Sequence, residues 1–166
     1  LYNRRHFYTL ASGEFNKASG FNQSITAIMV DIDHFKRVND TYGHLVGDIV
    51  LQNVANRCNK ILRQSDILCR YGGEEFVILM IGTSLESALQ IAERLRKRIA
   101  DTPIETEGKS ISITVSLGVA ALGPYMHPVS LTGGGARPLD ILINRADQAL
   151  YTSKENGRNR VTTWES

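Results

Sequence analysis

Two groups of acidic residues have the types and the spacing that phosphate chemistry with a divalent cation requires. In the first group, Asp31 stands near the end of a strongly apolar run over residues 25–32, and Asp33 follows two positions later. A carboxylate at the mouth of a sheet supplies the hard oxygen ligand that Mg²⁺ uses when it also holds substrate phosphates. Asp31 is therefore a candidate metal ligand. Asp33 can cap the next helix, and a capping role also suits a strand-end aspartate such as Asp31.

The second group follows a pair of glycines between two short apolar runs. Gly72 and Gly73 precede Glu74 and Glu75, and adjacent glycines tolerate the positive φ angles of a tight turn. They also leave flat backbone against which a nucleotide can lie. Successive residues of a strand point to opposite faces, so the two glutamates cannot share one role. The same residues are equally compatible with a surface hairpin whose acids are only solvated.

A third pattern, Arg63 and Asp66, lies a few residues before the glycine pair. Arginine can donate two hydrogen bonds to guanine O6 and N7 or to a phosphate, and a carboxylate can accept from the guanine donors. The strand between Asp66 and Gly72 separates this pair from the glycines by roughly 16 Å, at about 3.3 Å per residue. The pair is thus either a second site or an ordinary solvated ion pair, and it cannot share a pocket with the hairpin.

The elements expected around these groups alternate between helices and hairpin-linked strands. This order predicts an α+β fold with a central, largely antiparallel sheet of about five strands, flanking helices and a β-hairpin. Residues 123–138 hold three prolines and three consecutive glycines, which indicate a long surface loop. Strands are predicted at 25–32, 67–71, 76–81, 110–121 and 160–163, and helices at 4–19, 34–42, 48–61, 85–99 and 139–156.

Composition excludes several classes of protein. The 166 residues, 42% hydrophobic and 22% charged, suit one globular domain over residues 1–166. A net charge of +2 is too small for a nucleic-acid-binding surface. Cys58 and Cys69 are expected to be buried free thiols, which suits a reducing, cytoplasmic location. No apolar run is long enough to span a membrane, so we expect no membrane contact by this domain. The start at Leu1 suggests a segment of a longer chain with an N-terminal regulatory module, whose parent protein can be membrane-anchored.

Five motifs in a fixed order make the sequence similar to the GGDEF family of diguanylate cyclases. The resemblance covers nearly the whole chain, and the hairpin motif is the Gly-Gly-Glu-Glu-Phe variant, which retains the carboxylate. It implies a nucleotidyl-cyclase or palm-like sheet. It also implies an enzyme that condenses two GTP into cyclic di-GMP and two pyrophosphates. The motifs occupy residues 31–36, 39–48, 70–76, 115–119 and 145–151.

The resemblance also implies roles for individual residues. Asp31, the carbonyl of Ile32 and Glu74 hold two Mg²⁺ or Mn²⁺ ions on the GTP phosphates, and Glu74 is catalytic through this metal. Glu75 either assists deprotonation of the 3′-hydroxyl or supports the turn. Asn39 and Asp48 meet the guanine edge, although the start of a helix also favours an acid at position 48. The implied nucleotide-binding residues are Lys36, Asn39, His44, Asp48, Gly72, Gly73, Lys154 and Arg158; for His44 a structural role is equally compatible.

Regulation and assembly follow from the same resemblance. Arg63 and Asp66 are similar to an inhibitory site for cyclic di-GMP, with Arg94 as a secondary arginine. Because each domain carries one GTP, catalysis requires two domains facing each other as a transient homodimer. One alternative is a domain that binds GTP or cyclic di-GMP without turnover, but the acidic residues are intact. Another is an unrelated nucleotidyl cyclase or polymerase palm, which does not explain the glycine hairpin with its upstream Arg63 and Asp66.

Overall fold

The computed structural model describes residues 4–106, 108–123 and 137–165 of the chain. Helices and strands alternate along these ranges, which confirms the predicted α+β class. Most of the loop predicted at 123–138 lies outside the described residues, and Pro138 is the first residue of a helix. The elements are α1 (Arg4–Gly20), β1 (Ile25–Ile32), α2 (Phe35–Tyr42), α3 (His44–Asn59), β2 (Ile67–Arg70), β3 (Glu75–Ile81), α4 (Leu85–Ala100), β4 (Ile104–Thr106), β5 (Lys109–Ile111), β6 (Val115–Leu122), α5 (Pro138–Glu155) and β7 (Val161–Thr163).

The main sheet has five strands in the order β2-β3-β1-β6-β7. The central strand β1 pairs antiparallel with both β3 and β6, and β2 pairs antiparallel with β3. Only the pairing of β7 with β6 is parallel within this described sheet. The prediction of a largely antiparallel sheet of five strands is therefore confirmed. A separate pair, β4 and β5, forms a short antiparallel ribbon.

Helices cover both faces of the sheet, which explains why β1 is apolar along its whole length. Ile28 and Val30 point into a core shared with α2, α3 and α4. Ala27 and Met29 point into a second core shared with α1 and α5. All eight residues of β1 are buried. A strand buried on both faces lacks the usual alternation of polar and apolar residues. The apolar run of β1 therefore continues almost to the carboxyl end of the strand, where Asp31 lies.

Two predicted boundaries are wrong, and each has a local cause. The helix expected from Asp48 begins at His44, because Gly43 adopts a φ of 87° and lets a new helix start directly after α2. Asp48 therefore lies in the second turn of α3. The strand expected over 110–121 is divided, since β5 ends at Ile111 and β6 begins at Val115.

Two expectations about the chain as a whole can be compared with the described residues. Cys58 and Cys69 are both free and buried, as predicted. Burial raises the pKa of the Cys58 thiol to about 12 and that of Cys69 to about 11. Within the described ranges, none of the helices combines the length and apolar character that a bilayer-spanning segment needs.

Candidate active site

The centre of the site is Asp31, at the carboxyl end of β1. In the register of the sheet it lies between Glu75 of β3 and Ser116 of β6. Its side chain is only 7% exposed, and Lys154 Nζ of α5 lies 2.8 Å from its Oδ2. Burial raises the pKa of Asp31 to about 6, Lys154 opposes this shift, and the carboxylates of Glu74 and Glu75 add to it. Asp31 is thus a buried acid that lies near two other carboxylates and forms an ion pair with Lys154.

The turn between β2 and β3 is closed by an arginine side chain. Arg70 donates from Nε and Nη2 to the carbonyl of Gly73, at 3.2 and 2.7 Å. On the other side, the backbone N–H of Ile32 donates to the carbonyl of Glu74 at 3.3 Å. These bonds fix the turn against the end of β1. Sequence reasoning missed this role of Arg70, although an arginine two residues before the glycine pair was a usable signal.

Gly72 is needed for space rather than for an unusual φ angle, whereas a Cβ on Gly73 would meet nothing within 4 Å. Neither Gly72 nor Gly73 has a positive φ, so the predicted reason for the pair is wrong. A Cβ on Gly72 would stand 2.5 Å from Glu75 Oε2. The Glu75 carboxylate therefore lies against Gly72, whereas Glu74 faces a cavity on the other side of the turn. This arrangement agrees with the prediction that the two glutamates point to different faces.

The cavity lies between α2, α3 and the glycine turn, with a volume of about 500 Å³. This size is within the range of small-molecule sites. A recess of about 220 Å³ shares Asp48, Leu51 and Arg70 with it. The fold thus brings together residues from three predicted motifs. The residues that line the cavity are Phe35, Lys36, Asn39, His44, Asp48, Leu51, Arg70, Gly73 and Glu74.

Within this cavity, Asn39 of α2 and Asp48 of α3 are held close by Gly47. A Cβ on Gly47 would collide with Asn39 Oδ1 and would also press on Phe35. Glycine at this position lets the second turn of α3 approach α2, so the amide and the carboxylate share one wall. Gly47 is a site residue that sequence reasoning quoted within a motif but assigned no role.

Asp33 does not cap α2, and the expectation that it could do so is wrong. The residue preceding α2 is His34, which has a φ of 57° and makes no side-chain capping bond. Asp33 is instead 4% exposed and accepts three hydrogen bonds. Its Oδ2 accepts from Thr114 Oγ1 at 2.7 Å and from the Asn159 N–H at 3.0 Å, and its Oδ1 accepts from Ser116 Oγ at 2.7 Å. It therefore joins β1, β6 and the segment after α5.

The predicted phosphate contacts occupy different places. Lys36 lines the cavity, whereas Lys154 forms the ion pair with Asp31. Arg158 is exposed and follows Gly157 in a turn after α5, where both residues have positive φ angles. Neither Lys154 nor Arg158 lines the cavity itself; Lys154 pairs with the metal-ligand candidate Asp31, and Arg158 lies in the turn after α5.

The proposed product site lies away from the cavity, on the connection between α3 and β2. Asp66 Oδ2 accepts from the backbone N–H of Arg63 at 2.8 Å, and its Oδ1 is buried without a hydrogen-bond partner among the described residues. Arg94 of α4 donates to the carbonyl of Ile61 at 3.4 Å. The three predicted residues thus belong to neighbouring segments of one region, separate from Glu74 and its cavity.

The donor set at the sheet end fits a divalent cation. Asp31 and Glu74 offer carboxylate oxygens, and Glu75 adds a further negative charge near Asp31, whose paired cation is Lys154. Among the described residues, no group of three or more His, Cys, Asp or Glu side chains is arranged to hold a metal. Two carboxylates and one carbonyl suit an ion whose remaining ligands are water and phosphate oxygens, as is usual for Mg²⁺.

A largely antiparallel sheet that ends in a buried aspartate, beside an acidic glycine turn and a cavity between two helices, defines a palm-like α+β domain. The chain belongs to the GGDEF family. The family model described as "Diguanylate cyclase, GGDEF domain" matches residues 1–160.

Individual relatives agree with this assignment. Diguanylate cyclase A of Treponema denticola is 41% identical over 157 residues, which are 95% of this chain and 38% of that protein. The GGDEF domain of DgcB from Caulobacter crescentus, solved in complex with c-di-GMP, superposes with a TM-score of 0.86 at 32% identity and covers 100% of this chain and 92% of its own. The active GGEEF domain of a diguanylate cyclase from Vibrio cholerae gives a TM-score of 0.85 at 34% identity, over 99% and 97% of the two chains.

The chain corresponds to only one part of the longer curated relatives. It spans 38% of the Treponema denticola protein and 34% of the response regulator PleD of Caulobacter vibrioides. The likeness therefore concerns the catalytic-type domain, and the solved structures that superpose on it are of the same size or larger.

Proposed function

We propose that this domain is a diguanylate cyclase, which joins two GTP molecules into cyclic di-GMP and releases two pyrophosphates. The observation that carries the proposal is the arrangement of the acidic turn: Glu74 faces a cavity that also holds Asn39 and Asp48, while Asp31 lies beside the turn at the end of β1. One small region thus offers groups for a purine base and groups for a metal-bound phosphate. The names of the relatives support the same activity.

Asp48 and Asn39 select the base. The Asp48 carboxylate can accept from both N1–H and N2–H₂ of guanine, and the Asn39 amide can donate to an acceptor on the base. Adenine lacks this pair of donors, so a GTP site is favoured over an ATP site. His44 and Lys36 line the same wall and can contact the nucleotide.

Asp31, Glu74 and the carbonyl of Ile32 would hold two divalent cations, Mg²⁺ or Mn²⁺. When bound, such ions activate the attacking 3′-oxygen and neutralise the departing pyrophosphate. Lys154 lies next to Asp31 and can donate to a phosphate oxygen that enters there, while Arg158 supplies a second cation at the edge of the site. Gly73 gives the triphosphate a wall without a side chain, and Gly72 leaves space for the Glu75 carboxylate.

Glu75 has the less direct role. Its carboxylate lies against Gly72 rather than among the residues that line the cavity. This position favours support of the turn over removal of the 3′-hydroxyl proton. Its charge still raises the pKa of Asp31, so it adds to the negative field that favours a cation.

Each domain has one such cavity for one GTP, so the reaction requires a homodimer. The 3′-hydroxyl on one domain attacks the α-phosphate on the other, and a two-fold axis makes the two attacks equivalent. Product control belongs to the separate region of Arg63, Asp66 and Arg94, where cyclic di-GMP would bind as an inhibitor. Its distance from the cavity makes such inhibition allosteric or steric.

The product assay tests the proposal directly. The purified domain is incubated with GTP and Mg²⁺, and the nucleotides are separated by chromatography. We expect cyclic di-GMP from the wild type and a loss of more than about 100-fold in Glu74→Gln, because even the partners of metal ligands are worth 10–100-fold. Glu86→Gln, an exposed acid in the first turn of α4, is the matched control and should remain active. Absence of cyclic di-GMP at high protein concentration, after removal of bound product, contradicts the proposal; GTP binding without turnover then indicates a sensor.

A further inference from the structure

Three consecutive residues after α5 adopt left-handed backbone conformations. The φ angles are 110° at Gly157, 64° at Arg158 and 46° at Asn159. Glycine adopts such angles readily, but Arg158 and Asn159 do so only at a cost that the surrounding structure must offset. The helix end holds one side of the turn, since the Arg158 N–H donates to the carbonyl of Ser153 at 3.0 Å. Asn159 must be held by other contacts.

One of these contacts comes from the sheet. Asp33, two residues beyond the metal-ligand candidate Asp31, accepts from the backbone N–H of Asn159 at 3.0 Å. The Asp33 carboxylate is held in turn by the hydroxyls of Thr114 and Ser116, each at 2.7 Å. Hydrogen bonds to a charged acceptor are stronger than neutral ones, and a buried carboxylate needs all of its donors. The sheet end is therefore a rigid anchor for the turn.

The second contact comes from α4. Arg96 Nη1 donates to Asn159 Oδ1 at 2.8 Å and to the Asn159 carbonyl at 3.4 Å. The arginine is oriented by Glu93, whose two carboxylate oxygens accept from it at 2.6 and 2.8 Å. Its side chain is only 17% exposed. Asn159 is thus held through its N–H by the sheet and through both oxygens by a helix.

We infer that Asp33 and Arg96 are positioning residues that hold the Gly157–Asn159 turn so that Arg158 meets the GTP phosphates. The inference rests on the proposed function, in which Arg158 contacts the triphosphate. Its physical basis is that the metal-ligand candidate Asp31, at the end of β1, and the anchor Asp33, directly after β1, lie only two residues apart in the chain. Without the anchor, Asn159 and Arg158 relax toward ordinary negative φ angles, and the guanidinium moves away from the phosphates.

The test compares variants that break the anchor with variants that preserve it. Asp33→Ala removes the acceptor of the Asn159 N–H, whereas Asp33→Asn keeps an acceptor oxygen in the same place. We expect Asp33→Ala to raise the KM for GTP about tenfold with a smaller change in kcat, and Asp33→Asn to restore most of the affinity. Thr26→Val removes a buried hydrogen bond to the Thr83 carbonyl at the other end of β1, outside the anchor, so it controls for loss of stability alone.

A second pair of variants addresses α4. Arg96→Met removes both bonds to Asn159 and keeps the apolar stem, and we expect it to raise KM severalfold. Lys97→Met makes the same change one residue later, on a side chain that is 63% exposed, and should leave KM unchanged. If Asp33→Ala does not fold, the comparison of Arg96→Met with Lys97→Met still tests the inference. Wild-type KM in Arg96→Met and in a folded Asp33→Ala overturns the inference.

Amide hydrogen exchange at Asn159 separates this inference from the proposed function. Faster exchange in Asp33→Ala and in Arg96→Met, with wild-type exchange in Lys97→Met, supports the anchor whether or not the domain turns over GTP. Unchanged exchange at Asn159 overturns the anchor even in an active enzyme. A wild type that binds no GTP, measured by calorimetry, defeats the proposed function and the role of Arg158 together, while the exchange data still decide the anchor.

Discussion

Asp31 and Asp33 are both buried carboxylates at one sheet end, and their surroundings give them opposite tasks. Asp33 accepts three hydrogen bonds from neutral donors and is fully committed to structure. Asp31 has one cation, Lys154, and two acidic neighbours, Glu74 and Glu75. A carboxylate with uncompensated negative surroundings is available to a metal, and one with satisfied donors is not. Two aspartates with the same local sequence context thus differ only through their tertiary contacts.

The first prediction concerns the stability cost of Asp31. Burial raises its pKa to about 6 in the folded domain, so folding penalises the ionised form. This penalty is absent at low pH and grows as pH rises from about 4 to 6. At pH 7 and in the presence of EDTA, we expect Asp31→Asn to be more stable than the wild type by about 1–3 kcal/mol in the free energy of unfolding, and therefore to unfold at a higher temperature. The same variant should lose activity.

Thermal melts between pH 3.5 and 8 measure this difference. The advantage of Asp31→Asn should vanish below about pH 4 and reach a plateau above about pH 7. Asp147→Asn, an exposed aspartate on α5, is the control and should follow the wild type throughout. A variant that is less stable than the wild type at pH 7 would show that the Lys154 ion pair outweighs the cost of burial.

The second prediction concerns the guanine pocket. In Gly47→Ala the new methyl collides with Asn39 Oδ1, so the amide must turn away from the base. We expect the KM for GTP to rise about tenfold, which corresponds to about 1.4 kcal/mol, while kcat changes less. Steady-state kinetics with GTP measure both constants. Gly13→Ala on α1, where a Cβ meets nothing within 4 Å, is the control, and equal KM values in both variants would contradict the role of Gly47.

At the scale of elements, the site depends on how closely α5 lies on the sheet. Gly118 of β6 has no side chain, and the backbone of α5 occupies the space where a Cβ would stand. Ser153 Oγ then reaches the carbonyl of Leu117 at 2.7 Å, and Lys154 reaches Asp31. The absence of a side chain at Gly118 therefore determines how closely α5 packs on the sheet, and this packing brings Lys154 to Asp31.

The third prediction follows from this close approach. In Gly118→Ala the methyl collides with the backbone of Ala146 and Leu150, and backbone gives way less easily than a side chain. We expect a loss of about 1–3 kcal/mol in the free energy of unfolding, typical of an overpacked core, together with reduced activity at temperatures where the variant is folded. Urea denaturation measures the first and the product assay the second. Gly123→Ala, with open space around its Cβ, should match the wild type; equal stability of the two variants would refute the packing argument.

At the scale of the whole molecule, the proposed reaction needs two nucleotides, and the cavity is proposed to hold one of them. The described strands form a five-stranded sheet, with a core on each face, and a short two-stranded ribbon; the cavity lies between α2, α3 and the glycine turn. In the proposed reaction the second GTP arrives on another copy, so activity would depend on an encounter between two domains.

The fourth prediction tests the encounter. We expect the initial rate of cyclic di-GMP formation to rise with the square of protein concentration well below the dimer dissociation constant, because two GTP-loaded domains must meet. Rates measured over a dilution series at saturating GTP give the order of the reaction. Addition of excess Glu74→Gln should lower the cyclic product of the wild type by forming mixed dimers. A rate that stays proportional to concentration at every dilution, without inhibition by the variant, contradicts the homodimer.

Much of this domain is encoded locally and could be predicted. The limits of β1 at residues 25–32 and the start of α4 at Leu85 follow from apolar runs and were predicted, and α5 begins at Pro138, one residue before its predicted start. The motifs pointed to most of the residues that line the cavity, but no role was predicted for Phe35, Leu51 or Arg70, which line it as well. Predictions failed where a single backbone angle decided the outcome, as at Gly43, which moved the start of α3 four residues ahead of Asp48.

The sequence alone determined which residues could serve the acidic turn: Asp31 at the end of an apolar strand, and Glu74 and Glu75 after two glycines. Tertiary structure decided how these acids are used. The bond between Asp33 and the Asn159 N–H joins residues 126 positions apart, and the Lys154 contact with Asp31 also depends on the packing of α5. Such contacts leave no periodic signal, because a hydrogen bond between distant segments constrains geometry rather than local composition. The fold therefore determines which of the two aspartates is committed to structure and which remains the metal-ligand candidate.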